Sequence, residues 1–243
     1  MKKIILAIAV FMPLAMMAQE EAKTFTPSVK LKNLSDSVSY AIGISEYQGM
    51  STQLGDIVNY DVVIAGLKDA QKEKPGFNQE QLQTVFQMLQ AEQQRRYEVK
   101  VRENTEAGKK FLAENKKKKG IVETESGLQY KVNKEGTGKK PTLESTITCH
   151  YTGKLLDGTK FDSSLDRGKP LTVPLAQLIK GWGEGLQLMK EGANYTFYIP
   201  SELAYGTQQA GIIPPGATIV FDVELISVEE TPQNQQSTLK IEK

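Results

Sequence analysis

One cysteine and one histidine occur in the 243 residues, and they are neighbours, Cys149 and His150. A thiol beside an imidazole is the raw material of a Cys–His nucleophile, in which the ring takes the thiol proton. The surrounding residues, Thr146 to Leu156, alternate like a strand, with Ile147, Cys149 and Tyr151 on one side. Adjacent side chains of a strand point to opposite faces, so this pattern turns His150 away from Cys149. The thiol therefore reads as a small core residue. One His and one Cys are too few for a zinc site, and a single Cys closes no intramolecular disulfide. Thirty basic against twenty-nine acidic residues leave no net field to draw in nucleic acid or an anionic membrane surface.

A second stretch suggests binding in place of covalent chemistry. Leu203 to Leu225 reads LAYGTQQAGIIPPGATIVFDVEL. Its last part alternates Ile219, Phe221, Val223 and Leu225 with Thr218, Val220, Asp222 and Glu224, the period of a strand with one buried face. Pro214-Pro215 cannot continue a ladder and set a bend before it. The bend pushes Ile212 and Ile213 out as an apolar lip, with Phe221 beneath and the phenol of Tyr205 at the edge. Such a lip suits a shallow apolar pocket with few polar groups.

Together with HYTGKLLDGTKFDSS at 150–164 and GWGEGLQLMKEG at 181–192, the segment AYG…GIIPPGATIVFDVEL resembles the FKBP-type peptidyl-prolyl cis-trans isomerases. The likeness runs from about Gly127 to Val228. The part before it resembles the helical dimerisation region of the macrophage infectivity potentiator and FkpA-like subgroup. The resemblance implies a proline pocket with Tyr151, Phe161, Asp162, Trp182, Tyr205 and Phe221 as catalytic residues. It implies substrate contacts from Arg167, Leu171, Leu178, Ile179, Ile212 and Ile213. Trp182, the single indole, would be the floor, and Asp162 would take a hydrogen bond from Tyr151 or a salt bridge from Arg167.

The implied reaction is rotation about an X–Pro bond, with no metal and no cofactor. The implied partners are proline-containing unfolded polypeptides, a second copy of the chain through the N-terminal helices, and macrolide ligands. Leu171 departs from the pattern, standing where many family members carry an aromatic wall, and the loop Thr207 to Gly211 is short and polar. A competing reading of the same pocket is a holding chaperone or surface scaffold that binds proline segments without turnover.

Other elements must position these residues. Met1 to Ala18 reads as a signal peptide, with Lys2-Lys3, an apolar run from Ile4 to Val10 and a small-residue end at Ala18. The run is short for a bilayer span, so the mature chain is expected to be exported and not inserted in a membrane. The periplasm is the simplest destination, with an outer-membrane-associated or secreted location as the alternatives. Residues 19–32 form a lead-in. Residues 33–90 read as a helical dimerisation domain. One helix begins at Asn33 with Val38, Ile42 and Tyr47, and a second near Tyr60 with Val63, Ile64, Leu67 and Ala70. A third begins at Asn78, with Leu82, Val85, Phe86 and Leu89 as its face.

Beyond Gln90 that face gives way to acid–base pairs four residues apart, Glu92–Arg96, Glu98–Arg102, Glu106–Lys110 and Glu114–Lys118, each in the favourable order. The pattern predicts helix to Asn115, spanning roughly 60 Å from Asn78. A helix polar all round reads as a bridge through solvent, here over 91–119. Residues 120–228 read as the isomerase domain, and a fragment beginning near Gly120 is expected to hold it complete.

Strands are expected from Leu128, over Thr146–Leu156, from Thr159, over Tyr195–Ile199 and over Ile219–Val228, with an Asp157-Gly158 hairpin turn and a polar flap at 163–170. One helical pattern covers Leu175 to Met189. The fold class is α+β: an all-helical N-terminal domain, a long connecting helix, and an antiparallel sheet wrapped on one short helix. Residues 229–243 lack apolar periodicity and read as a tail.

Overall fold

The computed structural model describes residues 27–73 and 76–230. The expected signal peptide, most of the lead-in and nearly all of the tail lie outside the described residues. The chain divides into two compact units, one ending at Asn78 and one beginning at Gln79.

The first unit holds α1 (Leu34–Leu54) and α2 (Tyr60–Gln71), joined by a 3₁₀ turn at Gly55–Ile57. Asn33 caps α1 by accepting from the Asp36 N–H at 2.9 Å, while the Asp36 carboxylate reaches back to the Lys32 N–H at 2.8 Å. Asn59 caps α2 in the same way, through the N–H groups of Asp61 and Val62. Each cap satisfies donors that the first turn leaves without an intrahelical partner. The rings of Tyr47 and Tyr60 meet at 4.7 Å. Neither helix buries a single residue, and Val38, Ile42, Ile64 and Leu67 are 48–67% exposed.

The second unit begins with α3 (Gln79–Asn115), which reaches the residue that the charge pattern predicts. Of the expected pairs, Glu92–Arg96 forms at 2.8 Å and Arg95 joins it at 2.7 Å. Glu106 and Glu114 pair three residues on, with Lys109 and Lys117, and Glu98 accepts from Gln94. Partners at three and four residues lie equally near on a helix surface, so sequence spacing does not choose between them.

From Tyr97 onward, α3 is not the bridge through solvent that its composition suggests. Tyr97, Val101, Asn104, Thr105, Gly108, Phe111, Leu112 and Asn115 fall on one side of the helix, within about 120° of arc at 3.6 residues per turn. That side lies on the sheet: Gly108 and Asn115 are buried, and the Phe111 ring meets Tyr198 at 5.9 Å. Asn115 gives its amide to Gln129 at 3.0 Å, and Gln129 gives its own to the Leu112 carbonyl at 2.9 Å and to Glu123 at 2.7 Å. The docked face mixes Val101, Phe111 and Leu112 with amides, hydroxyls and a glycine, and a search for apolar periodicity passes over so sparse a stripe.

Seven antiparallel strands follow: β1 (Ile121–Glu123), β2 (Gln129–Lys134), β3 (Ser145–Leu155), β4 (Lys160–Ser163), β5 (Leu171–Pro174), β6 (Asn194–Ile199) and β7 (Ile219–Glu230). Their order is β1-β2-β6-β7-β3-β4, with β5 also paired to β3. The strands β1 and β5 are three and four residues long, too short to show a period. The Asp157-Gly158 turn forms as expected, with Gly158 at φ +88° and the Leu155 N–H bonded to Thr159 at 2.9 Å. Alternation on β7 holds: Ile219, Val223 and Leu225 are fully buried and Phe221 is 5% exposed.

The expected helix over Leu175–Met189 is shorter. A 3₁₀ turn, Leu175–Gln177, gives way to extended backbone at Leu178 and Ile179, and α4 spans only Lys180–Leu186. Three glycines in KGWGEGL weaken the helix, each by about 1 kcal/mol against alanine. Two of them permit close docking: a Cβ on Gly181 would collide with Ile199, and one on Gly185 with Phe197.

Candidate active site

On the inner face of the sheet, β3 presents Tyr151 and β7 presents Phe221. Opposite Phe221 in the register stands Gly153. A Cβ there would lie 2.5 Å from the Phe161 ring and 2.6 Å from the Phe221 ring, so the bare position makes room for both aromatics. Against them α4 places Trp182. The rings meet edge to face: Trp182–Phe221 at 5.0 Å and 84°, Tyr151–Trp182 at 5.2 Å and 87°, Phe161–Phe221 at 5.4 Å and 88°. This arrangement sets the positive rim of one ring on the negative face of the next, and adds about 0.5–1.5 kcal/mol per pair beyond area burial. Trp182 is 3% exposed, and its indole N–H is buried without an acceptor among the described residues.

Above these rings opens a cleft of about 670 Å³. It brings together Tyr151, Phe161, Asp162, Leu171, Leu178, Ile179, Trp182, Tyr205, Ile212, Ile213 and Phe221. Arg167 does not line the cleft and reaches it only through its bonds to Asp162 and Tyr151. Gln177, Ala210 and Gly211 complete the lining. The sequence reading missed them because two have almost no side chain and Gln177 sits on a turn that spacing alone does not mark. The expected lip is half correct. Ile212 is 60% exposed, but Ile213 is only 4% exposed. Ala210 and Ile213 exchange backbone hydrogen bonds of 2.9 and 3.1 Å, which folds Ile213 inward as wall.

The polar groups are few and mutually engaged. Tyr151 donates its hydroxyl to Asp162 at 2.5 Å. Arg167 pairs with the same carboxylate, donates to the Tyr151 oxygen at 2.7 Å, and lies over the Tyr151 ring at 5.4 Å. Both alternatives for Asp162 are thus realised at once. Partial burial opposes ionisation of Asp162, but the Tyr151 hydroxyl and the Arg167 guanidinium outweigh it and hold the carboxyl below its usual range. Burial first, then the Asp162 charge, push the hydroxyls of Tyr151 and Tyr205 upward. Tyr205 remains 38% exposed at the rim. On the opposite rim the Ile179 carbonyl accepts from the Trp182 and Gly183 N–H groups, while the Ile179 N–H has no acceptor among the described residues.

Cys149 is fully buried, and burial pushes its thiol up to about 12. His150 faces the other way, with Nδ1 3.0 Å from Ser164 Oγ. The two do not form a nucleophile.

Residues 137–226 match the family model described as FKBP-type peptidyl-prolyl cis-trans isomerase. Residues 35–132 match the domain found amino-terminal to such isomerases. The FKBP-type isomerase FkpA of Aeromonas hydrophila is 42% identical over 214 residues, which cover 84% of this chain and 80% of that protein. The outer membrane protein MIP of Legionella longbeachae is 38% identical, over 94% of this chain and 99% of its own. The crystal structure of FkpA from Escherichia coli superposes with a TM-score of 0.69 at 34% identity, over 84% of this chain and all of that one. The fold and the motifs define an FKBP-type enzyme, and this chain belongs to the FKBP-type peptidyl-prolyl cis-trans isomerase family. Its α+β architecture, a helical region followed by an antiparallel sheet, is that of its FkpA-like structural relative.

Proposed function

We propose that the cleft between Trp182 and Tyr205 isomerises X–Pro bonds in exported proteins as they fold, and that the working form is a homodimer joined through α1, α2 and the start of α3. The observation that carries the reading is the cage of edge-to-face rings under a cleft with one free phenol and no nucleophile. Rotation about an X–Pro bond meets a barrier of about 18–20 kcal/mol, set by amide resonance. The planar amide has the larger dipole. An apolar cleft therefore destabilises it more than the twisted form, which has lost part of its resonance. That difference is transition-state binding, with a desolvation component.

Proline sits against Trp182, with Tyr151, Phe161 and Phe221 as walls and Leu171, Leu178, Ile212 and Ile213 around it. The Tyr205 hydroxyl and the Ile179 N–H hold the two flanking carbonyls, since neither has a hydrogen-bond partner among the described residues. Arg167 and Asp162 fix the Tyr151 ring. A millionfold acceleration corresponds to about 8 kcal/mol, within reach of such terms combined. A protease-coupled isomerisation assay on a proline tetrapeptide tests the reading. Trp182→Ala and Phe221→Ala should each lose turnover while remaining dimeric, and full activity in both folded variants would move the site elsewhere.

The dimer rests on the unburied apolar side chains of α1 and α2 and on the match to the amino-terminal domain. Export rests on the basic and apolar start of the chain, and a relative at full length is named an outer membrane protein. No helix among the described residues is long and apolar enough to cross a membrane.

A further inference from the structure

The helix α3 touches the segment that carries Tyr205, Ile212 and Ile213 at successive points along its docked face. The Tyr97 hydroxyl donates to the Thr207 carbonyl, and the Asn104 amide donates to the Pro215 carbonyl at 2.8 Å. Between them the helix backbone meets Gly216, which sits at φ +73°. A Cβ at Gly216 would come within 2.7 Å of the Val101 carbonyl oxygen and 2.9 Å of Thr105 Oγ1. One turn further, Gly108 is packed so closely that a Cβ on it would collide with the Thr218 hydroxyl.

The segment depends on these contacts. Its limbs are tied to each other by the Gly216 N–H on the Gly206 carbonyl at 2.9 Å and, nearer the tip, by the Ala210–Ile213 pair. The Gly206 N–H on Ser201 at 2.8 Å closes a turn within the first limb. Between the limbs the chain is a polar loop whose tip, Ile212, faces solvent. Two left-handed glycines, Gly206 and Gly211, lie within it. A loop of this kind has many conformations of similar energy. A short hydrogen-bonded rail along one side removes most of them.

We propose that Tyr97 and Asn104 of α3 are positioning residues for the isomerase site: by holding Thr207 and Pro215 they set the height of Tyr205 and Ile213 over Trp182. The helix thereby belongs to the catalytic unit and is not a passive arm. This inference rests on the cleft being the substrate site. A loose loop still binds substrate in the productive pose part of the time, and apparent affinity falls by that fraction.

The test uses the full-length chain with Tyr97→Phe/Asn104→Ala, and separately Asn104→Asp, which keeps the shape but turns a carboxylate oxygen toward the Pro215 carbonyl. Trp182 is the single tryptophan, so its fluorescence reports occupancy of the cleft floor during titration with a proline tetrapeptide. Amide exchange at 206–213 reports the loop itself. The double variant should exchange faster there, with peptide affinity and kcat/KM down about three- to tenfold, mostly in KM. Asn104→Asp should be at least as impaired.

Unchanged exchange over 206–213 would overturn the proposal. Faster exchange with unaltered peptide affinity would overturn the positioning role. So would a loss that follows the melting temperature and vanishes when the assay is cooled well below it. The underlying reading of the cleft fails by a different sign: full turnover in Trp182→Ala, whatever the loop exchange shows.

Discussion

The two units of the chain are built on opposite terms. In the first, α1 and α2 begin at well-formed asparagine caps, yet no residue of either helix is buried. In the second, Phe197, Leu186, Met189, Ile199 and Val223 are fully enclosed, and even two amide side chains, Asn115 and Gln129, are buried and bonded. Local signals are enough to start and stop a helix, but helices of such length are marginal in water without tertiary burial. In the proposed dimer the first unit takes its stability from a second copy of the chain, whereas the second unit buries a core of its own.

The largest expected effects fall on the ring cage. Trp182→Ala or Phe221→Ala should cost about 3–5 kcal/mol of stability and lower turnover about tenfold or more, read by thermal melting and the tetrapeptide assay. Next comes the position of the cut. A fragment beginning at Gly120 discards the Leu112 and Asn115 partners of Gln129 and uncovers its side of β2. It should be less stable than one beginning at Glu92, by about 0.5–1.5 kcal/mol for each hydrogen bond lost. Equal melting of the two fragments would return α3 to the role of a connector.

Tyr205→Phe should do less. It removes one neutral hydrogen bond and keeps the ring, so activity should fall by about 0.5–1.5 kcal/mol. A loss of several orders of magnitude would make the hydroxyl a participant in the chemistry. The smallest effect on turnover is expected from Ile64→Asp with Leu67→Asp, which should leave each pocket as active as before while sedimentation shows a monomer. A dimer unchanged by both charges would break the comparison between the units.

A flat pH profile belongs beside these. Asp162 is depressed and the Tyr151 and Tyr205 hydroxyls are raised, so none of the three titrates between roughly pH 5 and 9. The sign for Asp162 is that of a lowered carboxyl. Its contribution is present above the unfolded value of about 3.9 and fades as pH falls through the lower folded value. Peptide turnover measured across pH 5–9 should not vary with any of these groups.

Much of this was legible in the residues. The alternation of β3 and β7 assigned Cys149 and Phe221 to the inner face, and Asn33 marked the start of α1, whereas the Asn59 cap of α2 was not singled out. Ile213 was misjudged because proline and glycine signals place a bend but not which neighbour turns inward. The docking of α3 was hidden for a different reason. Beside the Phe111 ring its contacts are a phenol, two amides, a threonine and a glycine, spread among charges, and no hydropathy period registers them. Gln129 was hidden likewise, since its polar side of β2 is covered by a helix whose own polar side faces it.

The sheet order carries one more consequence, for synthesis. The strand at its centre, β7, is the last of the described strands, flanked by β6 on one side and β3 on the other. Until Glu230 has left the ribosome, β3 and β6 have nothing between them, and Phe221 is missing from the pocket. The central pairing joins residues some seventy positions apart, and contacts so distant in sequence form slowly. The sheet therefore closes, and the pocket gains its Phe221 wall, only after translation has passed residue 230.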